Sequence, residues 1–220
     1  MEERLMGERP PRRRLRQNEP VGTRKLIMEE ATRLIARDGV EEMRLKDIAD
    51  AIGIRIPSIY RHFENREAII AELARTMVEE LAQFLTPDPE LPPVAWVESW
   101  ARGLVWFFAN KPGYGRLILR DLATPGGFGP ISTALGPIEE APSINAVAQI
   151  TESFRAAHQR GVATEVFTRP VDSNFFSIMF GAILVSLAWP YAGASGPVGV
   201  AELERLQAQA ARLALSLLQD

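Results

Sequence analysis

One stretch, LKDIADAIGIRIPSIYRHF (Leu45–Phe63), limits what this chain can fold into more than any other. Leu45, Ile48, Ala49 and Ile52 recur at helical spacing, and Gly53 ends the run. A second short helix is expected from about Pro57 to Phe63, with Pro57 in a first turn where its missing N–H costs nothing. Two short helices that cross steeply need a small residue where they touch and a residue free to adopt positive φ at the turn. Ala49 and Gly53, four apart, supply both. Ile48, Ile52, Ile54 and Ile59 then supply apolar contacts that lock the pair against a preceding helix. This is the helix-turn-helix pattern.

The flanks extend the helical pattern. Thr23 is the expected N-cap of a first helix with Ile27, Ala31, Leu34 and Ile35 on one face and Gly39 as its stop. A helix from near Arg66 continues through Ile69, Leu73, Met77 and Leu81 towards Phe84. After a proline-rich break over 86–93, helices are expected at 94–110 (stopped by Pro112 and Gly113), 114–123, 144–160, 173–189 and 199–218. Residues 124–143 hold four glycines and four prolines and are expected to form a loop. No stretch alternates as a strand does. The expected fold is all-α, in three parts. Residues 1–22 form a flexible basic arm, 23–68 a three-helix, homeodomain-like helix-turn-helix domain, and 69–220 a helical ligand-binding and dimerisation domain.

Charge and composition narrow the function. The 220 residues carry 25 Lys+Arg against 28 Asp+Glu, a net charge of −3. Residues 1–70 are net +2 and residues 71–220 net −5, so a basic end sits on an acidic body, the asymmetry of a chain that meets phosphates at one end. There is no cysteine and there are only two histidines, His62 and His158, so thiolate chemistry and three-histidine zinc sites are excluded and no metal or cofactor is expected. No GxSxG, Walker loop, HExxH or dinucleotide fingerprint occurs; no catalytic residue is assigned, and an enzyme is not expected. The uncharged run Phe175–Trp189 spans roughly 22 Å as a helix, short of the ~30 Å hydrocarbon core, so it is expected to be a buried helix. The charged N-terminus lacks the apolar core of a secretory signal. A cytoplasmic protein without membrane contact is expected.

The second helix of such a unit enters the major groove of double-stranded DNA by its N-terminal end. Arg55, Ile56, Ser58, Tyr60, Arg61 and His62 are expected to be exposed there. Arg61 can donate two hydrogen bonds to guanine, Ser58 and Tyr60 can bond phosphate, and Ile56 or Pro57 can touch a thymine methyl. Arg44 and Arg66 open the flanking helices, where backbone N–H groups and a positive side chain converge on phosphate.

The run from Thr23 to about Ile70, especially DIADAIGI and SIYRHFENREAII, resembles the N-terminal domain of TetR-type transcriptional regulators. Tyr60-x-His62-Phe63 followed by Arg66-Glu67-Ala68 is its most characteristic piece. The sequence departs from that pattern at Met43-Arg44, where Ser or Thr commonly caps the second helix, and at Arg55-Ile56, where Ser and a basic residue are common. The resemblance implies His62 as a phosphate contact. It also implies a helical C-terminal domain whose last two long helices dimerise, a palindromic operator, and repression relieved by a small apolar or amphipathic effector. WFFANKPGYGRLIL (106–119) looks like a motif of one C-terminal subclass.

In the C-terminal part the aromatic residues follow helical spacing, as core residues do. The resemblance implies instead a pocket between helices, for which Trp100, Phe107, Phe154, Phe176 and Phe180 are candidates, with Arg120 and His158 to orient a ligand. Helices 173–189 and 199–218, rich in small residues and leucines, are expected to build a four-helix dimer interface. A helical small-molecule-binding or partner-binding module that has lost operator binding is the alternative.

Overall fold

The structure is a computed structural model that describes residues 20–122, 142–172, 175, 178–184 and 198–219. Among these residues there is no strand. The helices are α1 (Pro20–Asp38), α2 (Leu45–Ile52), α3 (Ile56–Ile59), α4 (Arg66–Phe84), α5 (Pro93–Asn110), α6 (Pro112–Leu122), α7 (Pro142–Ala163) and α8 (Val200–Leu218). A further helical stretch covers 178–184.

The first three helices form around the face read from the sequence. Ile27, Ala31, Leu34 and Ile35 of α1 are buried, as are Ile48 and Ala49 of α2 and Ile59 of α3. Gly53 adopts φ 73°, and the carbonyl of Ala49 accepts both its N–H and that of Ile54, at 3.0 Å for the latter. This is a helix ended by a left-handed residue, which only glycine enters without strain. Two boundaries differ from expectation. Thr23 is not a cap, because α1 already runs at Pro20, whose ring is tolerated in a first turn. Regular α3 ends at Ile59, and a turn carries the chain on, with the Phe63 N–H bonded to the Ile59 carbonyl at 3.0 Å. The expected side-chain direction is thereby kept: Ile59 and Phe63 both point inwards.

Helices α5, α6 and α7 pack on α4. Asn65 caps α4, its side chain accepting the Ala68 N–H at 2.8 Å. Ile69, Ile70, Leu73, Ala74, Met77, Val78, Leu81 and Ala82 form one buried face along its length, part of a core shared with the first three helices. The helix crosses the domain boundary expected at 68/69 without a break, and one apolar core runs from Ile27 to Leu218. Pro112 does not only stop α5. A single residue, Lys111, separates the two helices, and Pro112 opens α6. Helix α7 packs on α4 and α5, α8 lies along α5, and α6 lies against α1. Gly113 makes the α6–α1 approach possible, because a Cβ there would sit 2.7 Å from the Thr32 carbonyl oxygen.

Candidate nucleic-acid interface

With Ile59 and Phe63 turned into the core, the helical period forces their neighbours outwards. Ile56, Pro57, Tyr60 and Arg61 form one outward stripe, with Tyr60 54% and Ile56 37% exposed. Arg55 precedes them with an extended backbone and is exposed. Ser58 and His62 flank the stripe and are half-buried. Residues 51–63 contain no acidic side chain. Arg44 stands at the N-cap position of α2 without capping it, exposed, with only a distant ion pair to Glu42 at 3.7 Å. The α2 start therefore has no side-chain cap and carries an exposed cation beside it.

Arg66 is different. Its Nε donates to the Met43 carbonyl at 2.9 Å, its terminal nitrogen bonds the Val40 carbonyl, and it pairs with Glu67 at 3.2 Å. The guanidinium that was expected to meet phosphate instead ties the α1–α2 turn to the start of α4. Both carbonyls lie outside the helices, and the planar fork of arginine reaches them at once, beside the Met43 N–H that the Val40 carbonyl also accepts at 3.4 Å.

Arg24 of α1 does comparable work at the far end of α3. It donates to the His62 carbonyl at 2.7 Å, pairs with Glu72 at 2.9 Å, and lies 4.2 Å above the Phe63 ring. One side chain of α1 thus pins the end of the recognition stripe to α4. No local signal marks it, since its partners stand far along the chain.

Residues 27–73 match the family model described as bacterial regulatory proteins, tetR family. Over that stretch the sequence is similar to the TetR family. Over 60 residues, 27% of this chain, it is 35% identical to the HTH-type transcriptional repressor KstR2 of Rhodococcus jostii (strain RHA1), and the match spans only 29% of that protein. The whole TetR-type fold is shared more widely. The ketosteroid transcriptional regulator KstR2 of Mycobacterium tuberculosis superposes with a TM-score of 0.63 at 18% identity, covering 93% of this chain and 97% of that one. The TetR family regulator PfmR of Thermus thermophilus gives 0.61 at 23% identity, covering 86% and 97%.

Behind the TetR-type domain, the residues considered for a ligand are largely spent on packing. Trp100, Phe107 and Phe154 are fully buried. Trp100 lies 5.1 Å from Phe154 and 6.3 Å from the half-buried Phe180, ring centre to ring centre. Phe107 contacts Phe84, Phe108 and Tyr114. His158 is buried, stacked on Phe167, with Nε2 2.8 Å from the Arg169 carbonyl, so it holds the chain after α7. Arg120 reaches back to the first domain and pairs with Glu41 at 2.9 Å. The sequence offered both as groups that orient a ligand; the structure commits both to protein partners. Phe176 lies outside the described residues, as do residues 1–19 of the arm and residues 124–141 of the expected loop, whose last two residues, Pro142 and Ser143, instead open α7. Among the described residues no cluster of His, Asp or Glu is arranged to hold a metal, and no helix is long and apolar enough to cross a membrane.

Proposed function

We propose that this protein is a homodimeric transcriptional repressor that binds a palindromic operator through α3 and is released by a small apolar or amphipathic molecule. The observation that carries this is the outward stripe Ile56, Pro57, Tyr60 and Arg61 on a stretch free of acids, flanked by Arg44 and Arg55. Such a surface offers base-reading groups at its centre and phosphate-neutralising groups at its edges. In this reading the exposed Arg61 reads guanine and the exposed Tyr60 fixes register on the backbone. A dimer through α8 and the helical stretch over 178–184 would set two such stripes one turn of duplex apart, about 34 Å.

The link to a ligand is supported by the contacts of α6. It seats Gly113 against the Thr32 carbonyl of α1 and holds Glu41, in the α1–α2 turn, through Arg120. A molecule that displaced α6 would pull on α1 and on the α1–α2 turn that leads into the operator-reading helices, and its preference for one arrangement sets the size of the response.

Selection of random duplex DNA on the full chain tests the proposal. One palindromic site should be enriched. Arg61→Ala should then bind it at least tenfold more weakly, within the ~1–3 kcal/mol of a bidentate base contact, while the dimer persists on size exclusion. Unchanged affinity of that variant would remove Arg61 from the interface.

A further inference from the structure

We infer that Ile56 reads the C5 methyl group of a thymine, so that each operator half-site carries a thymine beneath the start of α3. This rests on the operator-binding proposal and adds the base that the site demands.

Register fixes the direction of Ile56. Ile59 is fully buried, and the Tyr60 N–H bonds the Ile56 carbonyl at 3.3 Å, so Ile56 and Tyr60 stand one above the other on the opposite face. Pro57 follows, exposed and without an N–H, so the first turn presents a continuous apolar surface. On either side stand exposed Arg55 and Arg61. An apolar patch framed by cations fits a surface that is itself mostly polar and anionic but holds one apolar feature.

The major groove has one such feature. Guanine, adenine and cytosine present donors and acceptors there, and thymine presents a methyl group beside its O4. Isoleucine has nothing to offer a polar edge, and covering one would strip its water without a replacement bond. Its β-branched side chain is also stiff, so it does not swing aside to spare that edge. Against a methyl group the same stiffness is an advantage, because the contact is made without ordering a flexible chain.

Uridine scanning of the selected site tests this, since replacing thymine by uracil removes the methyl and leaves base pairing intact. At one thymine per half-site the uridine duplex should bind about fourfold more weakly, the factor for one buried methyl group. Ile56→Ala should bind the thymine and uridine duplexes equally, whereas Arg61→Ala should keep the fourfold ratio. A specific site that tolerates uridine at every thymine, or an Ile56→Ala protein that still prefers thymine fourfold, overturns the inference and leaves operator binding standing. Failure to enrich any site overturns operator binding itself.

Discussion

Arg24→Ala tests whether one side chain of α1 holds the recognition stripe in place. Three contacts vanish together. The charged hydrogen bond to the His62 carbonyl at 2.7 Å belongs to a class worth about 1.5–3 kcal/mol. Because the Arg24 side chain is 41% exposed, the lower end applies. The pair with Glu72 adds about 0.2–1 kcal/mol, and the stack on Phe63 about 0.5–1 kcal/mol. These terms share one guanidinium and do not add fully, so a loss of about 2 kcal/mol is expected. For a chain of this size that lowers Tm by roughly 4–8 °C. Arg24→Lys should lose about half as much, since an ammonium keeps the ion pair but not the fork. The assay is thermal and urea unfolding of both variants, with a double-mutant cycle against Glu72→Ala to isolate the pair. A loss under about 0.5 kcal/mol for Arg24→Ala would show that solvent replaces all three contacts, and the pinning of α3 would have to be assigned elsewhere.

Two glycines should fail for different reasons. Gly53→Ala meets nothing within 4 Å but needs φ 73°, so a backbone penalty of about 1–2 kcal/mol is expected from urea unfolding. Gly113→Ala has an ordinary backbone but places a methyl 2.7 Å from the Thr32 carbonyl oxygen. It should cost about 1–3 kcal/mol and shift α6 from α1, which amide exchange in α1 would report. The Tyr114 phenol is pushed well above its usual value, chiefly by burial and further by the Glu80 carboxylate beside it. A group whose folded value is raised contributes stability that is complete below its unfolded value near 10 and is lost as pH climbs beyond it. Tyr114→Phe should therefore flatten the alkaline arm of the stability profile above about pH 10, and an unaltered slope would contradict the assignment.

What could be read from the chain depended on the distance over which each signal acts. The Ala49–Gly53 pair and the Ile59–Phe63 spacing act within one or two turns, and the structure forms the turn and the inward face they imply. Arg66 and Arg24 act on carbonyls more than twenty residues away, and nothing local separates a cation aimed at phosphate from one aimed at a peptide oxygen. Arg120 and His158 were open for the same reason, as Glu41 and the Arg169 carbonyl become neighbours only after folding. The aromatic residues of α5 were ambiguous differently. Spacing shows which side of a helix is apolar, and only the helix opposite decides whether that side is filled. Phe154 of α7 fills it at Trp100.

Helix α4 has 19 residues and crosses from one domain to the other with no interruption. At about 1.5 Å per residue it is a rod of roughly 28 Å, and a tilt of about 5° at one end displaces the other by about 2.5 Å. Asn65 and the turn before it ride on that tip. A base contact is lost over a smaller distance than this, so, if the proposed operator binding holds, a minor rearrangement around Met77 or Leu81 would be geared up to the scale at which a groove is gripped or let go.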